Sequence, residues 1–337
     1  MTRHVGLRIL ALVFSLSLLS VSLVNHDALA TTSPSEYSDY MSHLATPGVG
    51  CFDSTYPSTT WANVTCGSGL EIGPASVGNT YDYSGYAGAT TEIGFAEGSF
   101  SSASVNSEQD SKVPAQCSGS PCQGFYGLQL NSQVYGCTYA SHSAECWQQF
   151  IFDNVNGSGN DGELFIQYQL VDNYGGTYGC PSGWYSYSAG SDTDCYTNSD
   201  YNYVPFQNPT SELDSLSLSG QANYESSGED DAAICNATNC YAVSESDTNN
   251  NLDLYQYWNT AEFNIFGFDN YSEAVFNPTA SMAVNLEEEQ GTGSIITPTC
   301  NGPSGGGTTG ETNSMTLGSG SCGVSGYYEI MSFDEYD

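Results

Sequence analysis

Beyond residue 30, this 337-residue chain carries one side chain of the Lys or Arg type, Lys112, while only one of its 38 carboxylates, Asp27, precedes that point. Arg3 and Arg8, the only arginines, lie ahead of it, and of the four histidines only His43 and His142 follow. Such a chain cannot be held together by salt bridges. Its fold must rest on apolar burial, neutral hydrogen bonds and covalent links. Function classes are excluded as well. Nucleic-acid binding requires a positive footprint that displaces counterions from phosphates. Anionic membrane surfaces and phosphorylated substrates call for Lys or Arg in the same way.

Two media favour this composition. In saturating salt, acidic side chains keep a protein hydrated while repulsion is screened within about 3 Å at 1 M. In strong acid, carboxyls with reference pKa values near 4 are mostly neutral at about pH 2, and the remaining charges are cationic. Deleting the cations then removes the self-repulsion that drives acid unfolding. Loss of arginine as well as lysine, with charged residues at only 12% of the chain, favours acid over salt.

Arg3 and Arg8 precede an apolar run from Ile9 to Val24, followed by the small-x-small site Ala28-Leu29-Ala30. This pattern predicts a signal peptide over 1–30, cleaved after Ala30, and a secreted, extracellular product. Residues 31–46 are a polar N-terminal segment, expected to be disordered or a propeptide, and 47–337 are expected to form one large domain. All twelve cysteines follow the cleavage site, and an even count in an exported chain reads as disulfides. Proximity suggests Cys51 with Cys66, Cys117 with Cys122, Cys137 with Cys146, Cys180 with Cys195, Cys235 with Cys240 and Cys300 with Cys322. No Cys-x-x-Cys pair occurs and acid would protonate thiolate ligands, so neither a metal nor another cofactor is expected.

Period-two alternation marks strands at 125–135, 147–153, 163–171 and 258–266, with further strands expected at 272–277, 281–287 and 326–333. No sustained helical repeat follows the signal. The expected fold is all-β, an antiparallel two-sheet β-sandwich of the lectin-like jelly-roll kind, stapled by disulfides. Residues 174–203 read as a long ordered loop and 301–310 as a Gly-rich connector.

If these strands share a sheet, their non-core faces bring together Gln129, Asn131, Gln133, Gln149, Gln167, Gln169, Glu262 and Asn264, flanked by Trp147, Phe165, Trp258 and Phe266. Amides hydrogen-bond hydroxyls and peptide groups without relying on charge. Such a face suits an extended peptide or a glycan. It can equally be the plain solvated face of a sandwich.

The run Tyr126-Gly127-Leu128-Gln129, the strand 165–172 and then Ala261-Glu262-Phe263 resemble, in order, the glutamic peptidases (eqolisins). That resemblance implies an acid-active endopeptidase on a concave β-sandwich. Glu262 would be the general base that activates water, and Gln129 the amide that orients it and stabilises the oxyanion. Phe263 stands where the family carries tryptophan. The opening Pro47-Gly48-Val49-Gly50-Cys51-Phe52 is similar to that of a group of exported microbial proteins, a likeness that carries no activity. A Ser-His-acid triad would need His43 or His142, both protonated in acid. A glycosidase pair would need Glu262 with Glu163 or Glu273, and no spacing selects one. A non-catalytic lectin-like protein and a cell-surface or matrix component remain the alternatives to the peptidase.

Overall fold

The computed structural model describes residues 33–69, 84–86, 92–110, 124–155, 162–206, 209–222, 228–246, 252–268, 272–290, 312–325 and 328–337. The expected signal peptide and its cleavage site, Lys112, Cys117, Cys122, Cys300 and the 301–310 connector lie outside them. The described residues contain neither Lys nor Arg.

One helix, α1 (Pro34–His43), precedes the strands, where polar composition suggests disorder. Ser33 caps it, accepting from the Glu36 N–H at 3.3 Å, and Pro34 opens its first turn. Then follow β1 (Gly50–Thr55), β2 (Ala62–Val64), β3 (Ser84–Tyr86), β4 (Ile93–Ser104), β5 (Glu108–Asp110), β6 (Phe125–Ser132) and β7 (Tyr135–Tyr139). Next come β8 (His142–Val155), β9 (Gly162–Val171), a short helix α2 (Tyr174–Tyr178), β10 (Tyr185–Ala189), β11 (Asp192–Asn198) and β12 (Asn202–Val204). The chain continues through β13 (Ser217–Ala222), β14 (Glu229–Cys235), β15 (Asn239–Ser246), β16 (Thr260–Gly267), β17 (Glu273–Phe276) and β18 (Ser281–Gln290). It closes with β19 (Thr312–Asn313), β20 (Thr316–Ser325) and β21 (Tyr328–Tyr336).

Two large antiparallel sheets result. One runs β2-β1-β15-β14-β13-β4-β18-β21-β20, the other β10-β11-β9-β8-β6-β16-β3, with β7 and β12 added beside β8 and β9. The stretch 174–203 is therefore a helical turn, the β10–β11 hairpin and the start of β12 rather than a loop. Between the sheets lies one hydrophobic core. The second sheet supplies its bulk from alternate positions, Leu128, Leu130, Phe150, Phe152, Leu164, Ile166, Phe263 and Ile265, all without exposed surface. The first sheet answers with small side chains. A Cβ on Gly98 would collide with the Phe263 ring, and one on Gly220 with the Phe150 ring. Glycine at these two positions lets the sheets close around large aromatics.

Disulfides join Cys51 to Cys66, Cys137 to Cys146, Cys180 to Cys195 and Cys235 to Cys240, the pairs that proximity suggests. Cys322 is also bridged. Four bridges among the described residues indicate an oxidising, extracellular type of environment.

The outer face of the first sheet is covered by α1. Tyr37 and Met41 are fully buried in a cluster with Cys235 and Cys240. The Ser42 carbonyl accepts from Ser219 Oγ (3.2 Å) and Gln221 Nε2 (3.3 Å), and Trp61 Nε1 donates to the Leu44 carbonyl (2.9 Å). The His43 ring stacks on Phe95 with centroids 4.1 Å apart. Just past the helix, the Thr46 N–H and hydroxyl both donate to the Asp231 carboxyl, at 3.1 and 3.0 Å.

Candidate functional site

Strand pairing decides which polar residues meet. Glu262 in β16 lies opposite Asn131 in β6, Asn131 opposite Gln149 in β8, Gln149 opposite Gln167 in β9, and Gln167 opposite Asn198 in β11. One register row thus crosses five strands with an amide or a carboxyl at every step. Diagonal positions add Gln129 and Gln169, which face Asn264 and Trp147 respectively.

The side chains of this face form a directed chain. The Tyr187 hydroxyl donates to Gln169 Oε1 (2.8 Å), Gln169 Nε2 to Gln149 Oε1 (2.6 Å), Gln149 Nε2 to Asn131 Oδ1 (2.8 Å), and Asn131 Nδ2 to Glu262 Oε2 (3.4 Å). Branches run from Gln149 Nε2 to Gln129 Oε1 (3.1 Å), from Gln169 Nε2 to Gln167 Oε1 (3.1 Å) and from Gln167 Nε2 to Asn198 Oδ1 (3.0 Å). Along the main chain of bonds every donor points toward Glu262, so the dipoles reinforce one another and end on a carboxyl. Each neutral bond contributes about 0.5–1.5 kcal/mol net, and orphaning one buried partner costs about 1–3 kcal/mol. Amides do not titrate, so the amide-to-amide links of this network are the same in acid and at neutrality, and Glu262 is its one titratable carboxyl.

The structure brings together Gln129, Asn131, Gln149, Gln167, Gln169 and Glu262, and it buries them. Glu262 is 6% exposed and Gln129 4%, the others less. Asn131 donates directly to Glu262, and Gln149 links Asn131 to Gln129. Asn264 bonds elsewhere, its Nδ2 donating to Glu335 Oε1 at 2.8 Å. Phe165 is fully buried, and Trp147 nearly so, its Nε1 donating to the Ser132 carbonyl at 2.9 Å.

Trp258 is not a platform on this face. It has no exposed surface, packs against Phe150 at 5.6 Å and belongs to the core, because it sits in the turn that leads into β16 rather than in the strand. Gln133 acts as a clasp. Its Nε2 donates to the Tyr257 carbonyl and its Oε1 accepts from the Asn259 (3.3 Å) and Thr260 (3.1 Å) N–H groups.

The exposed aromatics of the sheet lie where composition did not single them out. Tyr185 stacks on Tyr196 at 5.3 Å and is 37% exposed, beside Tyr187 and Asn198 at the β10–β11 margin of the amide face. Tyr185 and Tyr187 alternate with serines just ahead of the turn at Gly190, and Tyr196 follows it, the pattern of a hairpin, and that signal could have located this margin. At the opposite side, beyond β6, an open cleft of about 500 Å3 is lined by Gln133, Val134, Tyr135, Gln256, Tyr257 and Asn259, with Glu92 at its edge.

Burial raises every carboxyl whose shift is resolved. Beside the amide face it raises Glu163, and it raises Asp194 against the opposing Asn173 N–H. Under α1 it raises Asp231 and Glu287, and it pushes Glu97 up to about 7, opposed by a hydrogen bond from Ser42 and the charge of His43 and reinforced by Glu287 and Asp39. Of the histidines weighed for a triad, His43 lies under α1 and His142 stacks on Tyr178 at 4.2 Å. Among the described residues no group of three or more His, Cys, Asp or Glu could hold a metal ion.

No family model matches the chain, and no curated protein is significantly similar to it.

Proposed function

We propose that this chain is an exported protein, released after cleavage following Ala30, that works in acid and binds a neutral hydrogen-bonding ligand, a glycan or an extended peptide, on the second sheet. The observation that carries the reading is the chain of neutral phenol and amide donors that runs from Tyr187 to Glu262. It ends at a margin where Tyr187 and Asn198 are half-buried and Tyr185 is exposed. Such a surface presents phenol and amide groups whose bonding does not change with pH. Buried carboxyls with raised pKa values support acid over salt as the medium, because ionising them in the fold costs free energy at any ionic strength. The expected result is retention on insoluble polysaccharide or on immobilised peptide at pH 3, reduced at least tenfold in Tyr185→Ala. Wild-type retention of that variant, or no retention on either matrix, refutes the reading.

A second reading is favoured by the Asn131–Glu262 contact at 3.4 Å, since an amide held on a glutamic carboxyl, with Gln129 on the same face, is the kind of pairing that glutamic-peptidase chemistry uses. Glu262 would take a proton from water as it attacks the scissile carbonyl, and the Gln129 amide would donate to the oxyanion. The burial of both side chains favours binding over this reading. Casein cleavage at about pH 2 to 4 that resists pepstatin and vanishes in Glu262→Gln would establish it and displace the first.

A further inference from the structure

We infer that the cleft beyond β6 is a carbohydrate subsite that takes a neutral pyranose ring against Tyr257. Its volume, about 500 Å3, falls in the range of small-ligand sites. The platform is prepared in advance. Tyr257 is 39% exposed on one side, while the buried Tyr135 ring stacks beneath it with centroids 5.4 Å apart and an interplanar angle of 16°. An aromatic face backed by a second ring and open to solvent offers a flat apolar surface to the axial C–H groups of a sugar.

The backbone around that platform is fixed by the Gln133 clasp and by the turn hydrogen bonds of Tyr257 and Trp258 N–H to the Leu254 carbonyl, at 2.9 and 2.8 Å. A ligand therefore meets a site that needs little ordering. Polar groups remain at its rim. Among the described residues neither Asn259 Nδ2 nor Gln256 Oε1 has a hydrogen-bond partner, whereas Gln256 Nε2 donates to the Tyr255 hydroxyl (2.9 Å) and Asn259 Oδ1 accepts from Thr260 Oγ1 (3.2 Å). One free donor and one free acceptor suit vicinal hydroxyls, which each both donate and accept.

The described lining has no cation, so a uronic acid or a sugar phosphate would meet only Glu92. That selects uncharged sugars. A peptide fits less well, because strand addition needs an open sheet edge and side-chain pockets, and beside the Tyr257 ring this cleft offers one further exposed apolar side chain, Val134.

The test is titration calorimetry at pH 3 with cellopentaose, maltopentaose, mannopentaose and chitopentaose, alongside a blocked Gly-Ser peptide of similar length. At least one oligosaccharide should bind. Tyr257→Ala should lower its affinity at least tenfold, Tyr257→Phe should keep it within about threefold, since stacking survives loss of the hydroxyl, and Tyr185→Ala should leave it unchanged. Near-ultraviolet circular dichroism confirms that each variant is folded. The inference is overturned if no oligosaccharide binds, if only the peptide binds, or if Tyr257→Ala binds as the wild type does. A loss confined to Tyr185→Ala would also overturn it, while leaving the sheet-margin reading in place.

Discussion

The two sheets bury polar groups in opposite ways. On the second sheet, five amides and one carboxyl satisfy one another along a register row and its diagonals. On the outer face of the first, beneath α1, the polar groups include carboxyls, buried Glu97 and Asp231 and half-buried Glu287, with Asp39 and His43 facing Glu97 and Glu287 from the helix. The amides of the first do not titrate, and its one titratable carboxyl is that of Glu262 at the end of the row. The second is a titrating interface, because burial outweighs the charge of His43 there and favours the protonated carboxyl. A protein that lacks cations can thus be rigid everywhere in acid, yet have one region that yields first as the medium approaches neutrality.

The sharpest test removes the hub of the amide face. Gln149 donates to Gln129 and Asn131 and accepts from Gln169, so Gln149→Ala removes one hydrogen bond from each of three buried partners and leaves a cavity, and should cost about 3–4 kcal/mol. That loss, read from urea unfolding, should be equal at pH 3 and pH 7. A loss that varies with pH would break the contrast between the faces.

Glu97 gives the complementary result. Burial holds its folded pKa at about 7, above the 4.5 of an ordinary glutamate, so the stability linked to it is complete below about pH 4.5 and is lost as pH rises through about 7. Glu97→Gln should therefore have little effect at pH 3 and should raise stability at pH 8 by on the order of 3 kcal/mol relative to the wild type. Melting curves across that range decide it. If the wild type is instead most stable near neutrality, the acid reading of this interface fails.

Asp231→Asn should act in the same direction but less, since the Thr46 N–H still finds an acceptor in the new amide. Half or less of the Glu97→Gln gain at pH 8 is expected, measured in the same melts. Smallest is Asn198→Ala, at the end of the row and partly open to water, which should cost under about 1 kcal/mol at any pH.

The sequence was legible where one sheet does the filling. Strands 125–132, 142–155, 162–171 and 260–267 alternate aromatic or branched residues with amides, and their expected faces correspond to the observed ones. β4, β13, β14 and β15 escaped, although they form the middle of the other sheet. Their inward positions are Gly, Ala and Ser beside a few larger residues, because Phe150 and Phe263 occupy the space that such strands usually fill for themselves. Alternation is weak wherever the partner sheet supplies the volume. Helix α1 was illegible for a related reason. Tyr37 and Met41 are too few to mark an apolar stripe, and its anchorage comes from Ser42, Leu44 and Thr46 at its end.

At the site, the amide row was legible from alternation, but which amide would meet Glu262 was not. That depends on register, which places Asn131 opposite it and Gln129 opposite Asn264. Trp258 misled because period two, continued backward from β16, assigns it to the polar face, whereas the chain turns before the strand begins. Tyr257, its neighbour, took the exposed position instead.

The burial of Cys235 and Cys240 under Tyr37 and Met41 turns that bridge into a sensor. A thiolate reductant must reach a sulfur to exchange with it, so it can open this bridge only in molecules whose N-terminal helix has lifted away. Cleavage of the Cys235–Cys240 bond by a small phosphine, followed by mass spectrometry as the medium is brought from acid toward neutrality, would count those departures directly and without a label.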